Sequence, residues 1–173
     1  TAAIDGNDKE WIGKEARIDL PGKAKIRLAG VVTPQTKYAA YSIQVNADDA
    51  QKMLGGSFLP DNNILKSLGA SGLVKKVELA GSLDIKGDDI SLFDINGKLN
   101  DQTGISGVLN IKRGNKTSAF DAILNLDKAD VTAALSDDYA TFVQKVMASD
   151  ATLTIHVKDF TKGSLTGSDF VFK

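Results

Sequence analysis

The sequence predicts a β-dominated α+β fold, a mostly antiparallel sheet with helices packed on one side. Three observations predict it. Short stretches of strict apolar–polar alternation recur along most of the chain. Gly- and Asp-rich junctions separate them at hairpin spacing. An order of strand, strand, helical segment, strand, strand occurs twice, at about 24–99 and about 104–172, a period of roughly 80 residues. The copies share element order and apolar pattern, with little identity. A unit that recurs along a chain favours a surface extended by repetition over a single catalytic pocket.

The strands follow from their period of two. In "YAAYSIQVNA", Tyr41, Ile43, Val45 and Ala47 share one face and Ser42, Gln44 and Asn46 the other. "KVELAGSLDIK" sets Val77, Leu79, Gly81, Leu83 and Ile85 against Glu78, Ser82, Asp84 and Lys86. "ATLTIHVK" sets Ala151, Leu153, Ile155 and Val157 against Thr152, Thr154, His156 and Lys158. Such one-sided strands suit an antiparallel sheet with one wet face. "KGDD" at Lys86 to Asp89 and "KRGNK" at Lys112 to Lys116 read as hairpin turns. Between Ile90 and Leu99 the phase changes, and a bulge near Phe93 reconciles the two parities.

Helical spacing is clearest in the second copy. Val131, Ala134, Leu135, Tyr139, Phe142, Val143, Val146 and Met147 form one apolar stripe. Ser136, with Asp137 and Asp138 behind it, caps a second helix within that stretch. The first copy predicts a matching pair, Asp48 to Leu54 and Asn62 to Leu68, broken at Gly-Gly and Pro60.

Composition bounds the function classes. At 173 residues, 42% hydrophobic and 25% charged, the chain reads as one folded domain. A net charge of -1, with Lys and Arg spread evenly, leaves no footprint for nucleic acid. No run reaches the ~20 apolar residues that span a bilayer. The chain begins mid-phrase, without Met, and reads as a piece of a longer protein. Zero cysteines remove disulfides, thiolate metal sites and thiol nucleophiles.

Within this pattern, Ile105 to Leu135 resembles the AsmA-like family of bacterial envelope proteins, which includes TamB and its relatives. Ser106, Gly107, Leu109 and Ile111 match the family's "SGxLxI" strand. Ala122, Leu124, Asn125, Leu126 and Asp127 match the following "AxLNLD" strand. Leu79 to Asn100 resembles the preceding strand pair and Ser149 to Phe172 the next. The resemblance implies an extended, curved sheet whose apolar concave face carries lipid acyl chains. It implies a periplasmic location, an inner-membrane anchor outside this segment, and a role in phospholipid transport or outer-membrane assembly. Phospholipid or another lipid is the implied partner, other envelope proteins are further candidates, and no cofactor or enzymatic activity is implied.

Physical chemistry supplies a mechanism for such a face. Each acyl methylene moved from water onto an apolar wall is worth ~0.8 kcal/mol. The wall positions expected here are Ile26, Leu28, Ile43, Val45, Leu79, Leu83, Ile85, Leu109, Ile111, Leu124, Leu126, Leu153 and Ile155. The competing expectation is that they form an ordinary closed core against the helices, leaving a structural or protein–protein interaction module of the envelope.

Other chemistry is poorly supported. His156, the only histidine, lies on a polar strand face without a second His or Cys as partner. Asp48-Asp49, Asp88-Asp89 and Asp137-Asp138 sit where helix starts and a turn need them. "DGND" at Asp5 to Asp8 lacks the acidic twelfth position of a calcium loop, which is Ala16. Gly69-Ala70-Ser71-Gly72 has the wrong spacing for a nucleophile elbow. Trp11, the sole tryptophan, is expected to anchor the N-terminal segment to the core.

Overall fold

Alternation of apolar and polar side chains drives each of these segments into a strand, and the strands pair in the order in which they are made. The computed structural model describes residues 2–7, 9–54, 74–113, 118–130 and 151–173. Its strands are β1 (Ala2–Gly6), β2 (Trp11–Leu20), β3 (Ala24–Thr33), β4 (Tyr38–Ala47), β5 (Val77–Lys86), β6 (Asp89–Leu99), β7 (Thr103–Arg113), β8 (Ser118–Asp130), β9 (Ala151–Lys162) and β10 (Leu165–Phe172). They form one ten-stranded sheet in strict sequence order, open at β1 and β10. At about 4.8 Å per strand spacing the sheet is about 43 Å wide.

The expected α+β architecture, a duplicated strand–strand–helix–strand–strand unit with helices on one side, is not what forms. Helix among the described residues is limited to α1 (Ala50–Leu54) and a 3-10 turn at Pro34–Thr36. Predicted helices at 62–68 and across Val131 to Met147 lie outside the described residues. The duplication also fails in its pairing. β4 and β5 run antiparallel, whereas their expected counterparts β8 and β9 run parallel. A parallel neighbour must begin at the end of the sheet opposite to where its predecessor stopped, and Ala151 accordingly pairs with Phe120. A strand order repeated in sequence thus fixes adjacency but not direction. All other ladders are antiparallel.

Two strands preceding the expected repeat, β1 and β2, join the same sheet. In β2 a register shift between Gly13 and Ala16 moves Trp11 onto the face shared by Ile18 and Leu20. Trp11 is 49% exposed there and does not reach a core. Its ring lies where a Cβ on Gly6 would sit, so it packs on the β1–β2 hairpin instead.

The bulge expected near Phe93 is present. Asp94 takes φ 53, and the register shifts between Leu92 and Ile95 on the β7 side. Ile95 and Leu99 thereby rejoin Ile90 and Leu92, while Phe93 turns to the opposite face.

Burial is concentrated at one end of the sheet. Ala24, Ala47, Ala50 and Val77 form the buried cluster, with Leu20, Val45, Met53, Val74, Leu79 and Leu99 packed around it. The small side chains of Ala24 and Ala47 let α1 approach the strands closely enough for Ala50 to be fully buried. Backbone bonds fasten this end: Asp49 N–H donates to Gly22 O at 3.1 Å and Ala50 N–H to Lys75 O at 2.7 Å. Asn100 Oδ1 accepts from the N–H groups of Lys75 and Lys76 at 2.7 and 3.1 Å. Asp49 Oδ1 accepts from Lys52 N–H in the first turn of α1, which holds its carboxyl below the ordinary aspartate range.

Two glycines test this packing. A Cβ at Gly97 would run into the backbone carbonyl of Glu78 on β5, whereas one at Gly87, in the β5–β6 turn at φ 60, meets nothing. Gly97→Ala should destabilise the chain by about 1–3 kcal/mol, since backbone must move to admit the methyl. Gly87→Asn should stay within about 0.5 kcal/mol, because Asn tolerates the left-handed region. Urea unfolding of the two variants checks both values.

Candidate functional site

Cross-strand register decides which side chains share a face, because directly paired residues point the same way. Following the pairs outward from β3 gives rows that cross the sheet. Ile26 stands beside Ile18 and Val45, and Val45 beside Leu79. Leu28 stands beside Ile43. Leu83 meets Tyr41 and Leu92, Leu92 meets Leu109, and Leu109 meets Ala122. Ile85 meets Ile90, and Ile90 meets Ile111. Leu124 and Leu126 continue the rows to Ile155 and Val157 on β9, and Ala122 continues to Leu153.

All the wall positions expected from sequence therefore lie on one face: Ile26, Leu28, Ile43, Val45, Leu79, Leu83, Ile85, Leu109, Ile111, Leu124, Leu126, Leu153 and Ile155. The β6 residues Ile90, Leu92, Ile95 and Leu99 and the β7 residue Ile105 also belong to it and were absent from that set. The β6 residues join the face across the phase change at Asp94, and Ile105 through its pairing with Gly97 and Leu126.

Every one of the expected wall residues is half-buried, neither sealed nor fully exposed. A leucine on a bare sheet face is shielded on its flanks by its row neighbours and open above, which gives this intermediate value. Under a second layer it would fall into the buried class. No large side chain among the described residues is fully buried, and the residues that reach the buried class are led by alanines.

The opposite face is mainly polar, with Val31, Phe93, Val108 and Ile123 as apolar members. It carries Lys25, Arg27, Gln44 and Asn46 on β3 and β4, Glu78 and Asp84 on β5, and Thr152, Thr154 and His156 on β9. His156 is exposed and pairs in register with Asn125 and Val171. A shallow concavity of ≈ 410 Å³ opens chiefly on this face, lined by Asp89, Ser91, Asn110, Lys112, Asp121 and Thr152 among others. Among the described residues no group of three or more His, Cys, Asp or Glu side chains could hold a metal. Asp5 sits in β1, and Asn7 Oδ1 accepts from the N–H groups of Lys9 and Glu10, so Asn7 helps close the β1–β2 hairpin. Asp137-Asp138 and Gly69 to Gly72 lie outside the described residues.

The motif aspartate at the end of "AxLNLD" has a local structural function. Asp127 Oδ1 accepts from Gly104 N–H at 2.7 Å, tying the start of β7 to β8 on the polar side. The Glu15–Arg17 pair, at 2.7 Å, is solvent-exposed; the hydrogen bond from Arg17 holds the Glu15 carboxyl below its ordinary range.

Comparison with protein-family models, with curated proteins and with solved structures returns no match to this chain. The chemistry of the two faces is thus the basis for a functional reading.

Tyr38 offers a titration test of the polar face. Its hydroxyl donates to Asp84 Oδ2 at 3.3 Å between β4 and β5. Partial burial, and then the neighbouring Asp84 charge, raise its pKa above the ordinary tyrosine value. The neutral phenol supports the fold fully below that ordinary value, and the support is lost as pH climbs through the raised one. Tyr38→Phe should remove a phenolate absorbance step lying above the ordinary tyrosine value and make stability less sensitive to alkaline pH. An unchanged titration would contradict the assignment.

Proposed function

We propose that this chain is a non-enzymatic, lipid-carrying segment of an AsmA-like envelope protein, acting in phospholipid transport or outer-membrane assembly. The observation that carries the reading is a face about 29 Å wide, apolar across strands β3 to β9 and only half-buried at every expected wall position. Acyl chains laid on that face leave water, while their headgroups stay at its margin. Transfer needs no bond to form or break, because tail burial at ~0.8 kcal/mol per methylene supplies the affinity. The periplasmic setting and the inner-membrane anchor outside this segment rest on the resemblance of Leu79 to Leu135 to that family.

The competing reading, an interaction module with a closed core, predicts large side chains in the buried class along the wall. Half-burial at the thirteen expected wall positions supports the open face there, with Ile95 and Val157 as its buried members. Such a sheet requires a cover of some kind, since contiguous apolar surface of this extent is unfavourable in water.

Gentle purification from a diderm bacterial host followed by solvent extraction should recover phospholipid with the chain. The double variant Leu28→Asp/Leu109→Asp places carboxylates on two rows of the wall, and should lower bound lipid about tenfold or more. Circular dichroism controls for folding. Reproducible absence of lipid from the parent chain would count against carriage, as would equal lipid content in the variant.

A further inference from the structure

The concavity of ≈ 410 Å³ opens chiefly on the face opposite to the apolar wall. One register row crosses it: Ser91 on β6, Asn110 on β7, Asp121 on β8 and Thr152 on β9, each paired directly with the next. At strand spacing the row is ~14 Å long. It begins on β5 with Asp84, which accepts a hydrogen bond from the Tyr38 hydroxyl. Among the described residues the four groups that follow make no side-chain hydrogen bond or ion pair. Together they offer hydroxyl and amide donors beside hydroxyl, carbonyl and carboxylate acceptors.

The next row on this face is apolar. Val108 pairs with Ile123, and Phe93 stands with Asp94 opposite Val108 in the β6 bulge. Asp94 takes a left-handed φ of 53 there, and the bulge is what turns Phe93 onto this face. Ile123 is 44% exposed, the one large apolar side chain of β3 to β9 in the exposed class among the described residues. A hydrogen-bonding row and an apolar row with an aromatic ring therefore lie side by side, about 7 Å apart along the strands.

We propose that these two rows bind a neutral saccharide. A pyranose carries hydroxyls at its edge and C–H groups on its face. Its edge lies over Asn110 and Asp121, and its C–H face against Phe93 and Ile123. Sugar hydroxyls donate and accept, so they satisfy amide, carboxylate and hydroxyl groups at once. Charge disfavours other small ligands. An anion would meet two carboxylates, Asp89 and Asp121, against the single ammonium of Lys112. A divalent cation finds no converging set, because Asp89 and Asp121 stand two strands apart, about 10 Å. The concavity falls within the usual range of small-ligand clefts, roughly 300–1,000 Å³. Binding exchanges water for ligand on exposed groups, so the affinity is weak, on the order of millimolar. The site does not depend on the wall carrying lipid.

Amide chemical shifts of the nitrogen-15-labelled chain test the proposal, with cellotetraose, maltotetraose and chitotetraose as probes at millimolar concentration. At least one should shift amides confined to 89–93, 108–112, 119–123 and 152–154. Asn110→Ala and Asp121→Ala, both at exposed positions, should each weaken that binding several-fold, and Phe93→Ala likewise. Gln44→Ala, on the same face but outside the two rows, should leave it unchanged. Should Phe93→Ala lose its β-sheet circular dichroism, Ile123→Ser repeats the test of the apolar row. Lipid recovered with Asn110→Ala and Asp121→Ala should equal that of the parent chain, so this site and the wall can fail separately. Spectra unmoved by all three saccharides would overturn the proposal. So would shifts indifferent to Asn110→Ala and Asp121→Ala, or the same shifts produced by glycerol at equal hydroxyl concentration.

Discussion

Register is the constraint from which everything else here follows. Side chains alternate with a period of two, so a slip of one residue in any ladder would turn that strand's isoleucines and leucines to the polar side. Nine consecutive ladders have to agree for an apolar face to continue from β1 to β10. Where the sequence breaks alternation, the backbone compensates. Asp94 adopts φ 53 and restores Ile95 and Leu99 to the face of Ile90 and Leu92. The shift between Gly13 and Ala16 does the same service on β2. Close approach of neighbouring backbones at Gly97 and Gly107 shows how little slack the ladders have.

That constraint produces a surface more readily than it produces a core. Sequential pairing spreads the strands over a width of about 43 Å, and among the described residues the helix α1 covers the end defined by Ala24, Ala47 and Val77. Elsewhere on the face the expected wall residues are half-buried, while Ile95 and Val157 are buried. Hydrophobic stabilisation of the sheet is consequently incomplete, and a ligand that covers the wall would add to it by mass action. On the proposed reading stability and lipid loading are linked, because the same leucines that hold the sheet together are strengthened by whatever shelters them.

Much of the surface was legible in the sequence, and the reason is local. Alternation in "YAAYSIQVNA" and "KVELAGSLDIK" identifies both faces of β4 and β5 without reference to any partner, and the wall positions chosen on that basis all share a face. The bulge near Phe93 was legible for the same reason, as a break in local phase. Strand direction was not legible. Whether β9 runs with or against β8 depends on where the chain re-enters the sheet, which no periodicity within "ATLTIHVK" encodes. Of the helical spacing, the stretch Asp48 to Leu54 corresponds to α1, five residues long, and the segments at 62–68 and 131–147 lie outside the described residues. β1 and β2 went unrecognised because a register shift inside "WIGKEARIDL" disguises which residues face the apolar side, and Trp11 was misread as a core anchor for that reason.

Thiol accessibility along the wall is the most direct measurement of the central claim. In the cysteine-free background, single Cys substitutions at Leu28, Leu83 and Leu124 would be reacted with a water-soluble maleimide after delipidation, and again with phospholipid present. An open wall predicts reaction at all three positions without lipid and strong protection with it, while a Cys at Ala24, beneath α1, stays slow throughout. Slow reaction at Leu28, Leu83 and Leu124 in the delipidated chain would mean that something already seals the face, and the open surface on which this account rests would not exist.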